Sequence, residues 1–378
     1  MNKWEEFTIK DIVSGFYDGP HATPKEAKEG AIFLSIHNLK PSGGIDLSNP
    51  KYISMDDFPI WTKRVRPRSK DIVFSYEATL HRYAIIPENL LCCLGRRLAL
   101  LRINEEKADY KFVYYILISS YWRSKIETRV ITGATVDRIP LIDFPNFKIP
   151  LPPPPIQRRI ADVLGRYDAL IDNYQQQITA LEAMAQELYR EWFVRGRCPY
   201  ARSRGEGELP VGWEKIRLSQ IIDLKYGKSL TEENRRTGIC PVVGSSGIID
   251  YHDEALVLRP GIVVGRKGNV GSIFWIDKPF YPIDTAYYVE SQVSYYFLYF
   301  NLQTQNFISG DAAVPGLNRE QALSNTVILP DINSLERFDS IVEPTFRKKF
   351  NLQSQITTLR QTRDALLPRL LSGQVAVE

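Results

Sequence analysis

Two stretches of this chain carry apolar residues at steps of three and four over a length that few surface helices reach. After Pro155 the apolar positions run Ile156, Ile160, Leu164, Tyr167, Ile171, Tyr174, Ile178, Leu181, Ala185, Leu188 and Trp192. A second set runs Leu335, Phe338, Val342, Phe346, Leu352, Ile356, Leu359, Leu366 and Leu370. Each predicts a helix with one continuous apolar seam, and a seam sustained past about 25 residues predicts coiled-coil packing. The first helix, from Ile156 to Arg195, would be roughly 60 Å long at ~1.5 Å per residue. Ile160, Leu164, Ile171, Ile178, Leu181 and Leu188 on one, and Leu352, Ile356, Leu359 and Leu366 on the other, are expected to pack the two together. Pro344 is expected to kink or split the second helix, and Gly373 to end it.

Outside these helices the pattern shortens. Runs such as "AIFLSI", "DIVFSY", "GIVVG" and "SIFWI" are rich in β-branched and aromatic residues and bounded by Gly, Pro and Asp, so they predict strands. A helix is expected over "YKFVYYILISSYWRSKIETR" and a shorter one over "SYYFLYFNLQTQNFI". The class is therefore α+β. Between the first globular part and its helix stands "LPPPP", residues 151–155. A proline run is extended and stiff, and proline is favoured at the first helical position, so this segment is expected to launch the helix at a fixed angle.

The two patterns belong to one repeating plan. "WEEFTIKDI" at Trp4 recurs as "WEKIRLSQI" at Trp213, each followed by a glycine turn, "DGPHATPKEAKEG" and "YGKSLTEENRRTG". "DIVFS" matches "GIVVG", and "VITGATVDRI" matches "FISGDAAVPG", with Gly133 set against Gly310. "QQQITALEAMAQELYREWF" then matches "QSQITTLRQTRDALLPRLL". Features in the same order in both halves predict a tandem duplication of a globular domain followed by a long helix. The expected boundaries are 1–150, 151–204, 205–330 and 331–378.

Composition changes this picture little. At 378 residues with 44% hydrophobic and 24% charged residues, the chain has the make-up of a globular protein large enough for two cores. No secretory leader pattern or membrane-length apolar run is evident, so a cytoplasmic location and no membrane partner are expected. The four cysteines lack zinc or redox spacing. Residues 1–150 hold 22 Lys and Arg against 18 Asp and Glu, whereas 205–330 hold 11 against 14. Net charge permits a polyanion partner without demanding one.

No motif carries catalysis. "GKS" at 227–229 has Ile222 where a phosphate-binding loop needs glycine. Asp18 with "EAK" is the common-by-chance spacing of a nuclease metal site and has no supporting carboxylate cluster. His21, His37, His81 and His252 form no ligand pair, so no metal and no cofactor are expected. The candidates are instead for nucleic-acid contact, because lysine and arginine neutralise phosphates and arginine also forks onto guanine. They are His21, Thr23 and Lys25 in the first turn, then Lys63, Arg64, Arg66, Arg68 and Lys70, then Arg96 and Arg97. In the second half they are Lys228, Arg235, Arg236, Arg266 and Lys267. Each cluster has the plain alternative of a solvated face. Tyr189, Trp192 and Phe193 are the candidates for docking a partner protein.

"PLPPPPIQRRIADVL" with "LYREWFVR", and "DALLPRLLSGQV" near the end, resemble the central and distal conserved regions of the DNA specificity subunit of type I restriction–modification systems. "DGPHATP", "YGKSLTEENRRTG" with "PVVGSSG", and "VVGRKGNVGSIF" are similar to turns in that family's target recognition domains. The resemblance spans essentially the whole chain. It implies two recognition domains, each reading one half of a bipartite double-stranded DNA target, and two antiparallel helices forming a coiled coil that sets the gap between the halves. It also implies a body, without chemistry of its own, that recruits two methyltransferase subunits and the restriction subunits. The alternatives are a self-sufficient DNA-binding regulator and a coiled-coil scaffold protein.

Overall fold

The computed structural model describes residues 4–131, 136–205, 207–307 and 316–377. The chain divides into two units, Met1–Asp172 with Thr357–Glu378, and Asn173–Ile356. In the first, Ile72–Ser75 is buried at every position and takes an inner place in a four-stranded antiparallel sheet. The order is Val13–Asp18, Leu98–Ile103, Ile72–Ser75, Tyr83–Ile85. A second sheet sets Ala31–Leu34 between Tyr52–Ile53, antiparallel, and Cys92–Leu94, parallel. A strand pair, Glu5–Thr8 with Lys148–Leu151, closes the entry of the globular part against its exit.

The second unit repeats this layout strand for strand. Its four-stranded sheet runs Ile222–Tyr226, Ala286–Ser291, Gly261–Gly265, Ile273–Ile276. Cys240–Gly244 lies between Gly247–His252, antiparallel, and Tyr281–Pro282, parallel. Glu214–Arg217 pairs with Thr326–Leu329 as entry against exit. The duplication read from the sequence is thus present in the hydrogen-bond topology, and the fold is an α+β tandem repeat. The matched Gly133 and Gly310 lie outside the described residues.

The two long helices are Pro154–Tyr189, extended by a π-helical turn over Arg190–Val194, and Ile332–Leu371. Within the first unit, Ile160, Ala161 and Leu164 share a core with Leu367, Leu370 and Leu371 and with the sheet residues Phe74 and Leu101. Asp168 meets Arg363, and Arg159 reaches the Val377 carbonyl, so the two segments run in opposite directions. Within the second unit, Ala185 and Tyr189 share a core with Leu335, Phe338, Val342 and Phe346. Glu182 is 2.7 Å from Lys349, and Tyr189 packs on Phe338, again antiparallel. Of the predicted seam, Ile160, Leu164, Ile171, Ile178, Leu352 and Ile356 are buried, while Leu181, Leu188, Leu359 and Leu366 are half-buried.

The proline bracket is tied down by one side chain. The helix starts at Pro154, and the amide of Gln157 donates to the Pro152 carbonyl at 2.8 Å. Its oxygen accepts from the Asp109 backbone N–H at 2.8 Å, so the helix start is fastened to the start of a helix in the globular part.

Two expectations change. The helix foreseen around 110–129 is two, Tyr110–Ile118 and Ser120–Glu127. Ser119 between them is extended and accepts a hydrogen bond from the Trp122 N–H, because a serine that caps competes with one that continues. Pro344 does not split the second long helix. It and Ser340, four residues earlier, are exposed, so the proline sits on the outer face of the helix while Val342 and Phe346 stay buried.

Asp339 on that helix accepts from the Ser294 hydroxyl, and burial pushes its carboxyl up to about 6, with Glu343 and Glu336 adding to the rise. A raised carboxyl binds its proton more tightly folded than unfolded, so its destabilising effect builds up as pH rises from the ordinary carboxyl value of 3.8 to about 6 and is fully present above that. Asp339→Asn is expected to raise the melting temperature at pH 8 and leave it nearly unchanged at pH 4. Equal shifts at both pH values in a thermal-melt series would contradict this.

Candidate nucleic-acid interface

In the first unit several predicted residues meet at one end of the four-stranded sheet. Asp18 ends its strand opposite Ala99, and Ser75 ends its own opposite Leu98, so both carboxyl-terminal strand ends share an edge with the turn before Leu98. Gly19 packs so closely there that an added Cβ would lie 2.1 Å from the Gly95 carbonyl oxygen. Glycine is required for that approach. Asp18 holds Arg64 at 2.6 Å and His21 at 2.9 Å. Arg97 lies 3.7 Å from Glu77, and the Tyr76 hydroxyl donates to the Arg96 carbonyl at 2.7 Å. Burial pushes the Tyr76 phenol up to about 12, with the Asp18 and Glu77 charges raising it further and Arg64 and Arg97 opposing them. His21, Arg64, Arg96 and Arg97 therefore sit around one edge. Thr23 and Lys25 are exposed on the segment that leaves it.

The rest of the 63–70 cluster goes elsewhere. Lys70 bonds Glu105 at 2.8 Å and its backbone N–H donates to the Ile86 carbonyl, at the opposite end of the same sheet. Asp71, 2% exposed, takes the Arg102 guanidinium in two bonds of 2.9 and 2.7 Å, and Arg102 also donates to the Arg66 carbonyl. The Arg68 N–H donates to the same carboxylate, so one buried ion pair fixes the loop backbone. Lys63, Arg66 and Arg68 are exposed along it, with Arg66 over the Phe58 ring. The sequence cluster is thus strung between two sheet ends.

The second unit builds the equivalent edge from other residues. Tyr226 ends its strand opposite Tyr287, and Gly227 packs with an added Cβ 2.1 Å from the Ile283 carbonyl oxygen. The Lys228 N–H donates to the Pro282 carbonyl, and the Arg266 and Lys267 N–H groups both donate to that of Thr285. The Arg266 guanidinium lies over the Tyr226 and Tyr287 rings at 5.0 and 5.8 Å. Lys228, Arg266 and Lys267 are therefore gathered. Arg235 and Arg236 are engaged on the neighbouring hairpin, at Asp250 (3.0 Å) and at Asp253 (2.7 Å) and Glu254 (3.5 Å).

The helix aromatics require a correction. Tyr189, Trp192 and Phe193 were expected as an outward docking flank, but all are buried in the second unit's core. Phe193 packs on Trp213, Phe297 and Phe338, and the Tyr189 hydroxyl accepts from Asn301 at 3.1 Å. The globular part folds over that helix face, so these rings have no free surface for a partner. Sequence reading also missed Asp18 and Tyr226 as organisers of the two edges. Their signal was their shared place just before the repeated turn glycines Gly19 and Gly227.

A tandem α+β fold in which each unit pairs antiparallel helix segments with a cationic glycine-turn edge defines a duplicated class of protein. The family model described as the type I restriction modification DNA specificity domain matches residues 1–183 and again 210–357. The type I restriction enzyme MjaIX specificity subunit of Methanocaldococcus jannaschii is 26% identical over 98% of this chain and 89% of its own length. The HindI specificity subunit of Haemophilus influenzae is 20% identical over 99% of this chain and 100% of its own. The solved S subunit of the type I restriction–modification system from M. genitalium shares the fold with a TM-score of 0.62 at 19% identity, covering 97% of this chain and 96% of that one. This chain belongs to the type I restriction–modification DNA specificity family and is a specificity subunit.

Removing the buried carboxylate in Asp71→Ala is expected to leave Arg102 unpaired and cost about 3 kcal/mol of stability, as for other broken buried pairs. Chemical denaturation of the purified chain reads this; a loss under 1 kcal/mol would contradict it.

Proposed function

We propose that this chain is the DNA-reading component of a type I restriction–modification complex and makes or breaks no bond itself. Each globular part, with functional bounds 1–150 and 205–330, reads one half of a bipartite duplex target. The helical segments set the gap between the halves, and the chain recruits two methyltransferase subunits and the restriction subunits. The observation that carries this reading is the repeated edge. In both units the same sheet end collects cationic side chains around a tightly packed glycine turn.

The chemistry of the edges suits this task. Cations position a protein along the backbone by neutralising phosphates, and arginine additionally distinguishes guanine in the major groove. A duplicated reader matches the approximate twofold symmetry of duplex DNA while letting each half-site differ. Many of the cations are already engaged by acids, among them Arg64, Arg235 and Arg236. Contact with the polyanion from this chain alone is accordingly weak, and partner subunits complete the grip.

Two outcomes are expected. Purified chain without partners should bind its target weakly in an electrophoretic shift series. A nanomolar, sequence-specific footprint by the chain alone would favour the self-sufficient regulator. Deleting one heptad around Gln175–Gln177 together with the facing heptad around Gln353–Gln355 removes about 10 Å of helix at ~1.5 Å per residue. At ~3.4 Å per base pair, the gap preferred in methylation mapping should shorten by about three base pairs with both half-sites unchanged. An unchanged gap would contradict the spacer role.

A further inference from the structure

The residue that ends the first strand of each central sheet occupies the same structural position in both units and carries different chemistry. Asp18 pairs with Ala99, and the next residue, Gly19, donates its N–H to the Leu98 carbonyl. Tyr226 pairs with Tyr287, and Gly227 donates to the Ala286 carbonyl. Register, turn and crowded glycine are alike; the side chain is a carboxylate in one unit and a phenol in the other.

In each case that side chain holds an arginine that arrives from elsewhere. Asp18 bonds Arg64 from the 62–70 loop at 2.6 Å and His21 from the following turn at 2.9 Å. The Arg64 side chain remains 51% exposed, so a guanidinium is fixed by one nitrogen and open at the others. Tyr226, 54% exposed, lies under the Arg266 guanidinium, whose Nη1 donates to the Asp284 carbonyl at 3.0 Å. Here the open surface is an aromatic ring with a flat cation stacked on it.

We propose that the position shared by Asp18 and Tyr226 determines which bases each unit accepts. Asp18 aims Arg64 so that its free N–H groups fork onto the acceptor pair of a guanine in the first half-site. Tyr226 offers an apolar face to the second half-site, suited to a thymine methyl, with Arg266 holding the ring in place. Positioned donors and a positioned ring discriminate because a wrong base leaves the arginine N–H groups without acceptors and the ring without its apolar contact. The assignment rests on the two-headed reading of function and deepens it by naming where the heads differ.

The test is adenine-methylation mapping in a host carrying the intact complex, with wild type beside Asp18→Asn, Arg64→Lys and Tyr226→Leu. Asp18→Asn and Arg64→Lys are each expected to relax base preference at least tenfold at a guanine of the first half-site and to leave the second unchanged. Tyr226→Leu is expected to relax a position of the second half-site and leave the first unchanged. Co-purification with the partner subunits and an unaltered melting temperature establish that each variant folds; Tyr226 and Arg64 are exposed and Asp18→Asn keeps the size of a half-buried side chain, so this is the expected result. A bipartite wild-type motif with variants that shift neither half, or that weaken both halves equally, would overturn this inference and leave the two-headed reading standing. A wild-type motif without two separated halves would overturn both.

Discussion

Neither globular part of this chain encloses a complete core by itself. Each is finished by helix segments from two distant parts of the sequence. In the first unit Ile160 and Leu164 arrive from directly after the domain, whereas Leu367 and Leu370 arrive from near the other end of the chain. In the second, Ala185 and Tyr189 precede the domain and Phe338, Val342 and Phe346 follow it. Burying an aliphatic or aromatic side chain stabilises by roughly 1.5–3 kcal/mol, so these contacts bind each domain to both helices at once. The cationic turns lie at the sheet ends formed by Asp18 and Ser75 in the first unit and by Tyr226 in the second.

Specific polar contacts reinforce that apolar frame. Asp168 accepts from the Tyr115 hydroxyl at 2.6 Å and also holds Arg363, joining globular part and both helices at one carboxylate. Burial pushes the Tyr115 phenol far up, with the Asp168 charge acting in the same direction. The second unit has other polar joins, Ser294 to Asp339 and Asn301 to Tyr189, and adds rings: Phe346 packs against Trp275, Tyr296 and Tyr299, and Lys349 lies over Phe346 while pairing with Glu182. One backbone plan therefore tolerates different side-chain solutions wherever burial and hydrogen bonding are still satisfied. The two sheet edges differ for the same reason, since only the glycine turn is held fixed.

Much of this was legible in the sequence. The duplication could be read because tight turns demand glycine and helix seams demand apolar residues at fixed steps, both of which survive divergence. Strands such as Ile72–Ser75 and Gly261–Gly265 announced themselves by unbroken apolar runs. What could not be read was set by contacts far apart in the chain. Arg64 lies near Lys70 in sequence, but Asp18 draws it to one end of the sheet and Glu105 draws Lys70 to the other. The direction of Tyr189, Trp192 and Phe193 was equally hidden. Helical periodicity marks a face but not what covers it, and a whole domain folds over theirs.

The central claim is that two heads of common design read independently and that each head carries its own half of the target. It is tested most directly by replacing residues 205–330 with a second copy of 1–150, assembling the complex, and mapping adenine methylation genome-wide. The account predicts an inverted-repeat motif built from the first half-site alone. A motif that still contains the original second half-site would contradict it.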